Sequence, residues 1–162
     1  MGGTAMKIGV PKETVAGETR VASTPEVVKK LSGKGVEILV ERGAGARAHY
    51  PDEDYAAAGA QLVERATAWS TDILLKVRKP AADEVGAMRE GAVYIGFTES
   101  CGEDAVIGAM QARGIRVLSV ERIPRISRAQ SMDALSSQSN LAGYRAVLEA
   151  ASRYGRFFPM MM

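Results

Sequence analysis

Short, almost uninterrupted runs of Val, Ile and Leu alternate with helix-like segments along most of the 162-residue chain. Strands that are apolar on both faces are typical of parallel sheets covered by helices on both sides. The pattern therefore predicts an α/β fold with a mostly parallel sheet, of the Rossmann-like or flavodoxin-like kind, and leaves the strand order open. The predicted strands are Ile8–Val10, Val36–Val40, Gln61–Val63, Asp72–Val77, Ala92–Phe97 and Arg116–Val120.

Helix start signals separate the predicted strands. Residues 24–26 read Thr-Pro-Glu, which gives an N-cap, a proline at the first helical position and an acid in the first turn. Pro51 begins a short second helix, and two further helical stretches are predicted near 83–90 and 104–113.

One long helix is predicted from Asp133 to Tyr154 as a connecting element at the C-terminal end of the chain. Its apolar residues recur at spacings of three and four, namely at Leu141, Tyr144, Leu148, Ala151 and Tyr154. We expect residues 1–5 to be a leader or tag and residues 6–131 to form the α/β N-terminal subdomain. Residues 132–162, with their apolar ending, are expected to hold the long helix and the start of a crossing to a further subdomain.

The composition excludes several classes of function. A formal net charge of +2 does not favour nucleic-acid binding. A single histidine (His49) cannot build a His-based metal site, and with only one cysteine (Cys101) beside it a Cys/His nucleophile pair is not favoured. No segment approaches the ~18–20 apolar residues of a membrane span, and the N-terminus lacks a signal-peptide pattern. We therefore expect a cytoplasmic protein without a metal site.

Charged and polar residues follow three of the predicted strands, at the edge where open parallel sheets bind ligands. They are Lys12, Glu13 and Arg20, then Lys76, Arg78 and Lys79, and then Thr98, Glu99 and Ser100. The cations among them suit an anionic ligand. Position alone nevertheless favours the simpler interpretation that these are solvated loop charges.

The segment 122–133 is the densest in groups that bind polar ligands, with three arginines, one glutamine and one aspartate. Such a set can bind amide, carboxylate or phosphate groups. A structural explanation remains open for part of it, because Ser127 and Gln130 match the S-x-x-Q capping box. Asp133 lies near a predicted helix start, where an acid interacts favourably with the helix dipole.

Several familiar signatures are absent from the sequence. No G-x-G-x-x-G or Walker loop opens a helix after a strand, so the chain lacks the signature of its own dinucleotide phosphate site. The Gly43–Gly45 segment is G-x-G without a third glycine, and we interpret it as a turn. Ser127 and Ser131 have no neighbouring histidine and no G-x-S-x-G elbow, so a serine hydrolase is not favoured.

The run Pro124–Asp133, continued by Leu135–Arg145, resembles the signature stretch of domain I of proton-translocating NAD(P) transhydrogenase, the NAD(H)-binding alpha subunit. The resemblance covers Met6–Met162 and points to the N-terminal subdomain of domain I. Shorter matching motifs, which are shared with alanine dehydrogenase, are Gly9–Glu13, Thr24–Val28, Gly43–Gly45 and Ala58–Ala60.

The resemblance implies that two subdomains share the binding of the cofactor, which lies in the cleft between them. In the family, a second, Rossmann-type subdomain holds NAD(H), and the first subdomain supplies a loop over the nicotinamide. Hydride passes directly from NADH to NADP⁺, which a partner subunit binds. The implied cofactor-binding residues are Arg125, Ser127, Arg128, Gln130, Asp133 and Ser136, of which Arg125, Gln130 and Asp133 are the catalytic positions.

The resemblance also implies partners and a location. The NADP-binding and membrane components of the transhydrogenase would be the partner subunits, and the family's alpha subunit forms a homodimer. The chain would then be cytoplasmic and peripheral to the inner membrane, held there only through its partner subunits.

Two alternatives remain. The chain can be an alanine dehydrogenase-type N-terminal domain, in which Arg20 and Lys76 correspond to the positions that bind pyruvate. The catalytic histidine of that family would fall at about Glu99, so Arg20 and Lys76 can instead be a relic pocket or a structural set of ion pairs. The other alternative is a non-catalytic fragment or interaction module, which by itself would bind NADH weakly or not at all.

Overall fold

The computed structural model describes residues 6–99, 104–156 and 158. The predicted leader at 1–5, Ser100, Cys101 and most of the apolar ending lie outside these residues. The chain divides into two compact units, unit 1 up to Val120 and unit 2 from Glu121 onward. The expected subdomain boundary after residue 131 remains a prediction.

Unit 1 contains one six-stranded sheet in which every neighbouring pair of strands is parallel. The strand order is β3-β2-β1-β4-β5-β6, which is the Rossmann order rather than the flavodoxin order. From β1, the chain adds β2 and β3 on one side of the sheet and then β4, β5 and β6 on the other, so the point where the strand order reverses lies between β1 and β4. The strands are β1 (Lys7–Val10), β2 (Glu37–Glu41), β3 (Gln61–Val63), β4 (Ile73–Leu75), β5 (Val93–Gly96) and β6 (Arg116–Ser119).

All six predicted strands are confirmed, and the helices are confirmed in part. The helices of unit 1 are α1 (Pro25–Ser32), α2 (Asp52–Ala57), α3 (Arg65–Trp69), α4 (Ala82–Val85) and α5 (Ala105–Ala112). The helix predicted at 83–90 is wrong in its length, because α4 is a single turn that is capped at Gly86. Thr24 is the N-cap residue of α1 as expected, but its side chain makes no capping hydrogen bond. Helix α3 was not predicted.

Helices cover both faces of the sheet, and each face has its own apolar cluster. In the register of β1 and β2, Val10 lies beside Val40. Both belong to a cluster that also contains Ile38, Val28 of α1 and Tyr55 of α2. Successive strand positions point to opposite faces, and the second cluster consists of Trp69, Leu74, Val85, Met88, Tyr94, Met110 and Ile115.

Gly9 allows α3 to lie directly against β1. A Cβ atom at Gly9 would stand 2.0 Å from the carbonyl oxygen of Ala68 and 2.6 Å from Oγ1 of Thr71. Both neighbours are fixed, since one is backbone and the other is a buried hydroxyl that donates to backbone carbonyls. The close approach of a helix to the central strand therefore requires glycine at this position.

Unit 2 contains a 3-10 helix at Ser127–Met132, which is followed by the long helix α6 (Ala134–Arg153). The predicted bounds of the long helix agree with α6 to within one residue, and Asp133 and Tyr154 are its two cap residues. The apolar side chains Leu141, Tyr144, Leu148 and Tyr154 are exposed. Among the described residues, no helix is long and apolar enough to cross a membrane.

We expect Gly9→Ala to destabilise the protein strongly, by about 3 kcal/mol or more, because the added methyl group overlaps backbone that cannot move cheaply. The matched control is Gly108→Ala in α5, where an added Cβ meets nothing within 4 Å. That change should be neutral or stabilising by about 0.5–1 kcal/mol, since alanine is the better helix former. Urea unfolding of the two variants measures both effects, and similar midpoints would contradict the packing described for Gly9.

Candidate functional site

The carboxyl edge of the sheet holds a buried ion pair at the point where the strand order reverses. Lys76 follows β4, Glu13 follows β1, and the Lys76 ammonium lies 3.0 Å from Oε2 of Glu13. Both side chains are buried, with 0% and 3% of their surfaces exposed. Oε1 of Glu13 also accepts the backbone N–H of Val77 at 2.6 Å. The carboxylate thereby ties the loop after β1 to the end of β4.

A second carboxylate and an aromatic ring complete the surroundings of the Lys76 ammonium. Oε2 of Glu84, on α4, lies 3.8 Å from Nζ of Lys76, and Oε1 of Glu84 accepts a hydrogen bond of 2.6 Å from Arg65. The Trp69 ring centroid is 5.8 Å from the Lys76 ammonium and 5.3 Å from the Arg65 guanidinium. A cation over an aromatic face is a favourable contact, and it is strongest where water is excluded.

Glu18 organises two arginines beside this pair. Its buried carboxylate accepts hydrogen bonds from Nε and Nη2 of Arg20 at 2.8 and 2.6 Å, and Nε of Arg78 lies 3.1 Å from it. The hydrogen bond from Arg20 is the main cause that lowers the pKa of Glu18 from its ordinary 4.5 to about 2. The Arg78 guanidinium also pairs with the exposed carboxylate of Glu99.

The interpretation of the sheet-edge residues as solvated loop charges is wrong for Lys76 and Glu13, which are buried and paired. The interpretation fails because it rests on local sequence, whereas the two charges that neutralise each other are 63 residues apart. Arg20, Arg78 and Lys79 are partly exposed, and each makes an ion pair with an acidic side chain. The structure thus places Arg20 and Lys76 in ion pairs. Of the two interpretations left open for them, a relic pocket or a structural set of ion pairs, the geometry agrees with the second.

Sequence reasoning missed Glu84, Arg65 and Trp69, which surround Lys76. The acid in the first turn of α4 was visible in the sequence, but that position alone indicates a helix dipole contact. Trp69 belongs to α3, which was not predicted. Within the described part of the chain, no group of three or more His, Cys, Asp or Glu side chains could hold a metal ion.

In unit 2, Asp133 caps the N-terminus of α6. Oδ1 of Asp133 accepts the backbone N–H groups of Leu135 and Ser136 at 3.0 and 3.1 Å. Oδ2 accepts the Ser136 hydroxyl at 2.6 Å and lies 3.6 Å from Nε of Arg125. The hydrogen bond from the Ser136 side chain is the main cause that lowers the pKa of Asp133 below its ordinary value.

The capping box that was left open as an explanation for Ser127 and Gln130 is wrong. Ser127 lies inside the 3-10 helix, the N-cap position of that helix is Ile126, and no side chain makes a capping hydrogen bond there. The longer helix begins only at Ala134, where the short carboxylate of Asp133 takes the role that the motif assigned to Ser127. The expected contact of Asp133 with a helix start is confirmed in geometry.

The structure brings together three of the six predicted cofactor-binding residues. Arg125, Asp133 and Ser136 are joined through the carboxylate of Asp133. Ser127, Arg128 and Gln130 are exposed, and among the residues that the structure describes their side chains make no hydrogen bond or ion pair. Their polar groups are therefore directed to solvent rather than used within unit 2.

The parallel sheet, its strand order and its covered faces define unit 1 as a doubly wound α/β domain of the Rossmann-like class. A sequence profile for the family described as alanine dehydrogenase/PNT, N-terminal domain, matches residues 9–142. The chain belongs to this family.

Known proteins within the family are similar to nearly the whole chain. An NAD(P) transhydrogenase subunit alpha polypeptide of Rhodospirillum rubrum is 48% identical over 97% of this chain and 43% of its own length. Alanine dehydrogenase 1 of Staphylococcus aureus is 32% identical over 90% of this chain and 38% of its own length. The crystal structure of a transhydrogenase from Sinorhizobium meliloti has a TM-score of 0.89 and 46% identity, over 96% of this chain and 47% of that one. The chain thus spans less than half the length of these relatives.

We expect Lys76→Met to destabilise the protein by about 3–5 kcal/mol, because it leaves two buried carboxylates without their shared cation. The matched control is Lys79→Met, since Lys79 pairs with Asp104 but keeps 29% of its side chain exposed. The control should cost far less than the loss of the buried pair, because a partly exposed ion pair contributes little to stability. Chemical unfolding at neutral pH compares the two, and equal losses would show that burial of the Lys76 pair is energetically unimportant.

We expect Glu18→Gln to reduce stability at neutral pH by about 1–3 kcal/mol, the usual value of hydrogen bonds to a charged group. Because the folded-state pKa of Glu18 is lowered to about 2, its contribution is present above pH 4.5 and is lost as the pH falls toward 2. The unfolding free energies of wild type and variant should therefore converge in acid. Glu53→Gln, at an exposed position of α2, serves as the control. A gap between wild type and Glu18→Gln that does not depend on pH would contradict the assignment.

Proposed function

We propose that this chain is the N-terminal segment of the NAD(H)-binding alpha subunit of a proton-translocating NAD(P) transhydrogenase. The loop from Arg125 to Ser136 would position the nicotinamide of NADH for direct hydride transfer to NADP⁺ on a partner subunit. The 48% identity to the alpha subunit polypeptide of Rhodospirillum rubrum supports this assignment. The observation that carries it is the Asp133 carboxylate, which gathers Arg125 and Ser136 around one oxygen atom.

The polar groups of this loop fit a nicotinamide carboxamide. The carboxamide offers one acceptor oxygen and two N–H donors. Arg125 is largely exposed, with donors available for the oxygen, and the exposed Gln130 amide can both donate and accept. Asp133 would act mainly by holding Arg125 and Ser136 in place, since its own oxygens already accept hydrogen bonds within unit 2.

This function requires little acid–base chemistry from the protein. The bound nicotinamides supply the redox chemistry, because the hydride moves between their rings without a substrate proton being removed. The residues of this chain would orient one ring and exclude water from it, which is catalysis by proximity. A single histidine and a single cysteine in the whole sequence agree with that requirement.

An alanine dehydrogenase activity is the less supported alternative. Glu99 stands where the resemblance places the catalytic histidine of that family, and its exposed carboxylate pairs with Arg78. The cation of Lys76 is enclosed by Glu13 and Glu84, so a keto acid would have to compete with two carboxylates for it. An assay with pyruvate, ammonium and NADH separates the two functions, and turnover in it would favour the dehydrogenase.

Partners and location follow from the proposal. The subunit would act as a homodimer and would meet the inner membrane only through the NADP-binding and membrane components, on the cytoplasmic side. As an isolated module of 162 residues, the chain should bind NADH weakly or not at all. Calorimetric titration of this chain tests the last point, and micromolar binding would contradict it.

We expect Gln130→Asn, made in the complete polypeptide that carries this sequence, to slow hydride transfer about tenfold or more while changing the Kd for NADH less than about threefold. The shorter side chain keeps the amide but cannot hold the ring at the same distance. Stopped-flow transfer rates and equilibrium titration provide the two values. Ser131→Ala, one residue away and also exposed, is the control. Equal losses in rate and affinity would count against a ring-positioning role.

A further inference from the structure

Glu99 follows β5 in a backbone conformation that side chains rarely adopt. Its φ angle is 50°, in the left-handed region, where a residue with a Cβ atom is strained. Among the described residues, His49 is the other non-glycine residue with a positive φ, and it caps a 3-10 helix at Ala46–Ala48. Left-handed residues are common at helix ends. Glu99 instead follows a strand, so a different interaction has to hold its backbone.

Arg78 provides such an interaction. Its Nη1 donates a hydrogen bond to the Glu99 carboxylate, and its Nε lies 3.1 Å from the buried carboxylate of Glu18. The backbone of Arg78 is also held, because its carbonyl accepts a hydrogen bond of 3.2 Å from the Tyr94 hydroxyl. The guanidinium is thus anchored to a buried charge on one side, and the left-handed turn at Glu99 brings a second carboxylate to its other side.

Water reaches the ion pair between Arg78 and Glu99. The two side chains keep 38% and 58% of their surfaces exposed, in contrast to the buried pair of Lys76 and Glu13. Exposed ion pairs contribute little to stability, because water and salt screen them. Here the contact also has to offset a strained backbone. The paired, left-handed state of Glu99 and an unpaired state with an ordinary φ therefore differ little in free energy, so a modest competitor for Arg78 can shift the balance.

We propose that Arg78 and Glu99 form a latch at the end of β5, which a phosphate group from solution releases. A guanidinium binds phosphate through two parallel N–H donors. In Arg78, Nη1 is used by Glu99, while Nη2 makes no hydrogen bond to any residue that the structure describes. A phosphate that engages both nitrogen atoms displaces the Glu99 carboxylate, and the backbone of Glu99 returns to an ordinary φ. The latch lies in unit 1 and does not depend on the proposed function.

The latch is tested by NMR spectroscopy of this chain, with inorganic phosphate as the probe. The intraresidue NOE between the amide proton and Hα is strong at a positive φ and weaker at a negative one, so it reports the state of Glu99. Sodium phosphate, titrated against sodium chloride at constant ionic strength, should weaken this NOE more than about twofold, with a midpoint in the millimolar range. Chloride alone should leave it strong, because a monatomic ion lacks the two oxygen atoms that match the guanidinium fork.

Two variants remove the ion pair, one from each side. Glu99→Gln keeps the length of the side chain without its charge, and Arg78→Gln removes the cation. In both variants, the NOE of residue 99 should be weak from the start and should not respond to phosphate. The matched control is Lys79→Gln, since the neighbouring Lys79 pairs with Asp104 instead. It should keep both the strong NOE and its response to phosphate.

A strong NOE at residue 99 in Glu99→Gln would overturn the latch, because the backbone would then be left-handed without the ion pair. Glu99 is exposed, so this variant decides the matter even if Arg78→Gln, which leaves the buried Glu18 with Arg20 alone, fails to fold. A weak NOE in wild type without phosphate would refute the latch as well. Equal responses to phosphate and to chloride would overturn its release by phosphate.

Discussion

The buried ion pair between Lys76 and Glu13 is the interaction on which the edge of unit 1 depends. Each charge would be costly to bury alone, so the loop after β1 and the end of β4 can reach their positions only together. Doubly wound sheets usually bind ligands at this crevice, where the strand order reverses. Here the chain's own carboxylates surround the cation. The residues proposed to meet the cofactor lie instead in unit 2.

The close packing under this edge depends on a glycine. Without a side chain at Gly9, the carbonyl of Ala68 approaches β1 directly, which brings Trp69 into the apolar cluster on that face. The Trp69 ring then lies near the Lys76 ammonium and gives it an aromatic neighbour in addition to its carboxylates. The absence of a side chain at Gly9 in β1 therefore helps to determine the surroundings of Lys76, which follows β4.

The strands could be predicted because residues such as Ile38 and Val40 belong to runs that are apolar on both faces, a pattern that depends only on local sequence. The strand order and the burial of Lys76 could not, since each depends on pairing across more than 60 residues. α4 was predicted too long because its apolar residues continue past Gly86, where the helix ends.

In the candidate site, the residue types of segment 122–133 indicated a polar cluster. The capping-box motif, however, pointed to Ser127 as the N-cap of a helix, which is not its position in the structure. A motif cannot tell a 3-10 turn from the start of a long helix, whereas the structure places that start at Asp133.

Two carboxylate–arginine pairs, Glu18–Arg20 and Asp133–Arg125, differ in how firmly the arginine is held. Glu18 is buried and holds Arg20 through two short hydrogen bonds, so moving that guanidinium would leave a buried carboxylate with Arg78 as its remaining cation. Asp133 is held by helix N–H groups, while its contact to the exposed Arg125 is 3.6 Å long. An exposed pair of this kind contributes little to stability. Arg125 can therefore move at little cost, while Asp133 and Ser136 stay fixed by the first turn of α6.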